Sequence, residues 1–134
     1  MSTTTRPELS KKNKWYIPKH RYYELKHFCL QYPEWKEKYE SAIRYSKSNH
    51  ITNNVEWSDP VGNSVSSMDI WKRKIDLVEN AAVLADESIG SYILRAVTED
   101  LSFTALKMLY DIPCGKDMYY DRYRKFFYIL SSCS

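Results

Sequence analysis

Glycine is scarce in this chain, with three in 134 residues, and continuous runs of β-branched residues are few. Both shortages argue against a sheet and for an all-α class. The cysteines, Cys29, Cys114 and Cys133, are odd in number and form no CxxC pair. That pattern favours reduced thiols in a cytoplasmic protein over a disulfide framework. No apolar run approaches the length of a membrane span, and no signal-peptide pattern opens the chain, so no membrane partner is expected.

Catalytic signatures are missing as well. There is no Gly-rich phosphate loop, no HExxH, no GxSxG and no Cys–His pair at a diagnostic spacing. His20, His27 and Cys29 are the only clustered soft ligands. On one helix, residues two apart face away from each other, so His27 and Cys29 do not share a metal. Asp117 and Asp121 stand four apart and mimic a carboxylate pair. They read more simply as a partner for the helix dipole and an ion pair to Lys125. Neither an enzyme nor a cofactor is expected.

Aromatic residues are abundant, with twelve Tyr and four Trp, and apolar residues make up 43% of the chain, enough for a core. The formal charge of +3 is distributed unevenly. Residues 1–48 carry 11 Lys/Arg against 5 acids, residues 49–85 carry 3 against 5, and residues 86–134 carry 6 against 7. Any nucleic-acid binding therefore depends on the N-terminal third for much of its phosphate neutralisation.

The segment Leu101 to Leu130 organises the rest. Ser102 suits a helix N-cap, and Leu101 can staple onto Leu106. This helix must end near Ile112-Pro113, because a proline disfavours helical geometry in the residue before it. Gly115 is the expected flexible corner, and Lys116 to Leu130 the following helix. Tyr119, Tyr123, Phe126, Phe127 and Leu130 share one stripe that should face the core. Asp117, Asp121, Arg124, Lys125 and Tyr128 fall opposite, with Lys116, Tyr120 and Arg122 at the borders. Two such helices joined through a Gly-containing turn fit a helix-turn-helix, whose second helix can read double-stranded DNA.

Upstream, residues 1–14 are polar and basic and read as a mobile arm, with Lys11, Lys12 and Lys14 able to track phosphates. Pro18 suits the first turn of a helix whose buried stripe is Tyr22, Leu25, Cys29 and Tyr32. Pro33 then opens a second helix to Tyr45, with Trp35, Tyr39, Ala42 and Ile43 inward. The turn formers of 46–64 predict a long loop that Val55 and Trp57 can pin. Ser66 or Ser67 can cap the next helix, which runs to Ala85 on Met68, Trp71, Ile75, Val78, Ala82 and Ala85. Asp86 can cap another over Glu87 to Val97, with Ile89, Tyr92, Ile93 and Ala96 inward.

A second stripe, Ile70, Leu77 and Leu84, recurs every seven residues. It marks a helix covered on two sides, either central to the fold or shared with a partner chain in a homodimer. The expected organisation is all-α: an arm over 1–14, a helical hairpin over 15–46, a loop over 47–66, and a multi-helix bundle over 67–134 ending in a helix-turn-helix at 102–130.

Particular motifs resemble a known family. Val97-Thr98-Glu99, then Ser-x-Thr-x-Leu from Ser102, Ile112-Pro113-Cys114-Gly115, and Tyr-Tyr-Asp-x-Tyr-Arg-Lys-Phe-Phe-x-x-Leu from Tyr119 look like small phage-encoded proteins of Firmicutes. Glu24-Leu25 and Cys29-Leu30-Gln31-Tyr32-Pro33-Glu34-Trp35 are similar to the opening of the RinA type, which is related to the ArpU type. These are phage late-gene transcriptional regulators with a C-terminal, sigma-like helix-turn-helix. Asp117 and Asp121 depart from the family pattern. The resemblance implies a regulator in the cytoplasm of a bacterial host.

In that reading, Lys116, Tyr120 and Arg124 meet base edges, and Asp121 accepts from cytosine N4. Arg122, Lys125 and Lys107 lie nearer phosphates. A different class fits the same residues: an interaction protein that binds a host protein, such as RNA polymerase or a defence factor, through its Tyr-rich surface.

Overall fold

The computed structural model describes residues 13–52 and 59–133, and the side chains of 13–45 and 67–133. Among them are six helices and no strand: α1 (Lys19–Leu30), α2 (Tyr32–Thr52), α3 (Asp59–Ala85), α4 (Gly90–Glu99), α5 (Phe103–Tyr110) and α6 (Lys116–Cys133). None of the helices is long and apolar enough to cross a membrane. The chain divides into two compact units, Met1–Gln31 with Leu77–Ser134, and Tyr32–Asp76, so the boundary falls inside α3.

The first unit contains α1, the end of α3, and α4 to α6. Pro18 is the N-cap of α1, with its carbonyl accepting from Tyr22 N–H at 2.9 Å. Tyr22, Leu25 and Cys29 are buried, as the spacing predicts, and α1 packs on α4 and α6, whereas Tyr32, expected in the same stripe, opens α2 and is half-buried. The two helices expected to pair as a hairpin, α1 and α2, belong to different units. Burial pushes the Cys29 thiol up to about 12, so it stays protonated and behaves as a small apolar group.

The stretch from α3 to α4 shows how a cap can shift a helix start. Asp86 Oδ1 accepts from Ser88 N–H at 2.7 Å and Ile89 N–H at 3.1 Å. These bonds close a turn over residues 87–89, so α4 begins at Gly90 and not at Glu87. A Cβ on Gly90 would come 2.7 Å from the Ala82 carbonyl oxygen, so only glycine lets α4 start so close to α3. Ile89, Ile93 and Ala96 are buried as expected, together with Val97. Tyr92 is only half-buried. The buried Thr98 hydroxyl donates to Leu94 C=O at 2.8 Å, which removes the cost of enclosing it.

The second unit pairs α2 with the first part of α3. Trp35 is buried with Lys74 Nζ 5.6 Å from its ring centroid, and Lys38 Nζ stands 5.9 Å from that of Trp71. Pro33 sits in the first turn of α2, where its missing N–H costs nothing.

The loop expected over 47–66 is a correction. Residues 47–52 continue α2 and 59–66 open α3. Ser66 and Ser67 therefore lie inside a helix and do not cap it. Asp59-Pro60 carries a second meaning besides a turn, because Asp and Pro both suit a helix N-terminus. Residues 53–58, including Val55 and Trp57, lie outside the described residues, as do 1–12 of the expected arm. Along α3, Ile75, Val78, Ala82 and Ala85 are buried while Met68 and Trp71 are half-buried. In the second stripe, Ile70 and Leu84 are exposed and Leu77 is half-buried.

Candidate nucleic-acid interface

The candidate residues lie on α5 and α6. Ser102 caps α5 as expected, its Oγ accepting from Ala105 N–H at 3.1 Å. The helix ends where Asp111 adopts the left-handed conformation, at φ 52, and returns its N–H to Lys107 C=O at 3.1 Å. The corner residue is thus Asp111 and not Gly115; among the described residues no glycine has positive φ. Reversal has to come this early because Ile112, fully buried, plugs the core immediately afterwards. Lys107 Nζ secures that plug by donating to Ile112 C=O at 2.8 Å. Gly115 instead opens α6, its carbonyl accepting from Tyr119 N–H at 3.0 Å.

The α6 stripe matches the spacing argument: Tyr119, Tyr123, Phe126, Phe127 and Leu130 are all buried. Their rings form a ladder, with Tyr119–Tyr123 at 5.8 Å, Tyr123–Phe127 at 5.0 Å and Phe126–Phe127 at 4.9 Å. Tyr22 from α1 meets Phe127 edge-on at 5.1 Å, and its hydroxyl bonds that of Tyr123 at 2.9 Å. Enclosed phenols cannot ionise cheaply, and burial raises both Tyr119 and Tyr123 well above the ordinary tyrosine value. These two tyrosines therefore lie in the core, while Tyr128 reaches the surface.

The outward side is less open than its composition suggests. Lys116, Asp117 and Met118 are exposed, and Lys116 has no hydrogen bond or ion pair among the described residues. Tyr120 is half-buried, its ring 6.3 Å from Phe103 and 5.0 Å from Tyr119. Arg124 is half-buried too, and its Nε is enclosed without a partner. Arg122, 34% exposed, gives Nε–H to Asp86 Oδ2 at 2.9 Å and pairs with Asp121 through Nη1. The expected Asp121–Lys125 pair is replaced by this one, because Arg122 is already held beside Asp121 by Asp86.

Burial alone would raise the Asp86 carboxyl, which is 11% exposed. Hydrogen bonds from Ile89 N–H, the Arg122 guanidinium and Ser88 N–H outweigh it and hold the group below the usual carboxylate range.

The segment before α1 also covers part of α6. Asn13 Oδ1 accepts from Trp15 N–H at 2.8 Å, and the Trp15 ring stands 5.3 Å from Tyr128. Lys125 Nζ lies 5.4 Å from the Trp15 ring centroid and Lys14 Nζ 5.1 Å. From α1, Arg21 Nε donates to Ser131 Oγ at 3.1 Å. Lys14, Lys19, Arg21 and Lys26 thus share one unit with α6.

Trp15, Arg21 and Asp86 were not among the residues singled out for the site. Their partners on α6 are 36 to 113 positions away in the sequence, and only the N-cap pattern at Asp86 gave any signal. The described residues hold no group of three or more His, Cys, Asp or Glu fit for a metal ion. Comparison with family models, curated proteins and solved structures finds no match to this chain. The functional reading therefore rests on the residues themselves.

Proposed function

We propose that the chain is a double-stranded-DNA-binding transcriptional regulator, with α5 and α6 acting as a helix-turn-helix and α6 entering the major groove. One observation carries the reading. The helix α6 is anchored along its length by five buried side chains, while Lys116, Asp117 and Met118 in its first turn stand open to solvent. Motif proteins of this kind contact bases through the N-terminal residues of the second helix. The resemblance to RinA- and ArpU-type phage regulators supports the same assignment.

Lys116 and Tyr120 lead the base contacts in this reading, with Arg124 further along and Asp121 accepting from cytosine N4. Lys107, Lys125 and Lys14 supply phosphate contacts. Arg122, tied to Asp86 and Asp121, positions the face and leaves phosphate neutralisation to the lysines. A homodimer through Ile70, Leu77 and Leu84 would present two such heads to a palindromic site, and sedimentation would detect it.

A mobility-shift titration on the chain's own late promoter region, repeated across salt concentrations, tests the proposal. Affinity should fall steeply with salt, and Lys107→Ala should reduce the log–log slope by about 1. Lys116→Ala should cost discrimination between sequences. A slope near zero would remove the phosphate-driven basis of the reading.

A second reading has an observation of its own. On α5, Met108 is 80% and Leu109 63% exposed, with Tyr110 beside them. Exposed apolar residues of this size suit a protein partner such as RNA polymerase or another host factor. A complex that co-purifies through nuclease and high salt, and is lost with Leu109→Asp, would favour that reading over DNA.

A further inference from the structure

We propose that the cleft between α1, the α4–α5 corner and α6 binds a mononucleotide whose base carries an exocyclic amine. The cleft borders the proposed DNA-reading face, since Tyr120 lines it, but its recognition by Lys26 and Asp100 does not depend on DNA binding.

The cleft has a volume of about 310 Å³, at the lower end of the range of about 300–1,000 Å³ for small-molecule sites. Tyr119, Tyr123 and Phe127 line it with buried rings, and Tyr23, Phe103 and Tyr120 with more exposed ones. The rings of Tyr23, Phe103 and Tyr120 are the ones open enough to meet a planar heteroaromatic group, since every base has a π-face that stacks on an aromatic side chain.

Two charges in the lining decide the rest. Lys26 is half-buried on α1, and Asp100 closes α4 in the left-handed conformation at φ 58. Neither has a hydrogen bond or ion pair among the described residues, not even with the other. The Tyr22 and Tyr123 hydroxyls, by contrast, already satisfy each other at 2.9 Å. Lys26 and Asp100 therefore remain to recognise a ligand. An ammonium at one position and a carboxylate at another call for an anion and an N–H donor on the same molecule. A nucleotide supplies both: its phosphate to Lys26 and its exocyclic amine to Asp100. Inorganic phosphate lacks the ring and the donor, and an unphosphorylated nucleoside lacks the anion.

Isothermal titration of the full chain with AMP, adenosine and inorganic phosphate tests this. AMP should bind saturably, with adenosine and phosphate each weaker by about tenfold or more. Lys26→Gln should weaken AMP by about tenfold and leave adenosine unchanged, whereas Asp100→Asn should weaken both. Because neither side chain has a partner to lose, both variants should melt like the parent protein. Tyr23→Ala, at the exposed edge, should weaken AMP and adenosine alike without touching either charge. The proposal is overturned if AMP shows no saturation at several millimolar, or if phosphate binds as tightly as AMP. It is equally overturned if Lys26→Gln binds AMP as well as the parent does.

Discussion

The helices α5 and α6 lie side by side in the sequence and are held in opposite ways. Five side chains of α6 are buried along one stripe, whereas α5 buries only Leu106 and leaves Met108 and Leu109 in solvent. The shorter helix is secured at its ends instead, by the Ser102 cap, the Asp111 reversal and the Lys107 bond to Ile112 C=O. A stripe of large rings fixes a helix through area removed from water, which is insensitive to any single polar contact. A helix held by caps depends on individual hydrogen bonds, each worth far less.

The widest gap between the two should appear on truncating one side chain from each. Phe127→Ala empties a fully buried site and should cost about 3–5 kcal/mol in denaturant unfolding. Leu109→Ala removes a side chain that is mostly in water and should stay within about 0.5 kcal/mol. Similar losses from the two would mean that α5 is anchored as α6 is.

Next in size is the polar tie across α6. Asp86→Asn keeps an acceptor for the turn but gives up the charge that holds Arg122, costing about 1.5 kcal/mol at neutral pH. The Asp86 carboxyl is lowered in the folded chain, so its contribution is present above the unfolded-state value and is lost as pH falls through the folded one. Acid titration of stability should show the parent losing ground below the usual carboxylate range, with the Asn variant flatter there. Parallel curves would show that the charge contributes nothing.

The caps of α5 come last. Ser102→Ala should destabilise by about 1 kcal/mol by stripping the acceptor from Ala105 N–H. Asp111→Gly should act in the opposite direction, raising stability by about 0.5 kcal/mol. Glycine meets no Cβ penalty at positive φ, although its freer unfolded chain offsets part of the gain. A lower melting temperature for that variant would mean that Asp111 holds the corner through its side chain.

The legible and illegible parts of the fold divide along the same physical line. Side chains at i, i+4, i+7, i+8 and i+11 must share a helix face, so the buried side of α6 was readable from spacing alone. So were the Tyr22, Leu25 and Cys29 stripe and the Ser102 cap. Residues 47–52 and 59–66 misled because helix propensity is a weak preference that context overrides, and Asp-Pro serves a helix start as readily as a turn. Gly115 misled similarly: the need to bury Ile112 at once put the reversal at Asp111.

By itself the sequence determined an all-α chain, the aromatic anchor of its last helix and the residues that can stand opposite that anchor. Only tertiary structure decided how free those opposite residues are. Asp86 claims Arg122, Trp15 covers part of the face near Lys125 and Tyr128, and Phe103 takes one side of Tyr120. Periodicity sorts side chains by face because that follows from helix geometry. Which distant residue comes to occupy a face depends on how the helices pack, and that information is not local.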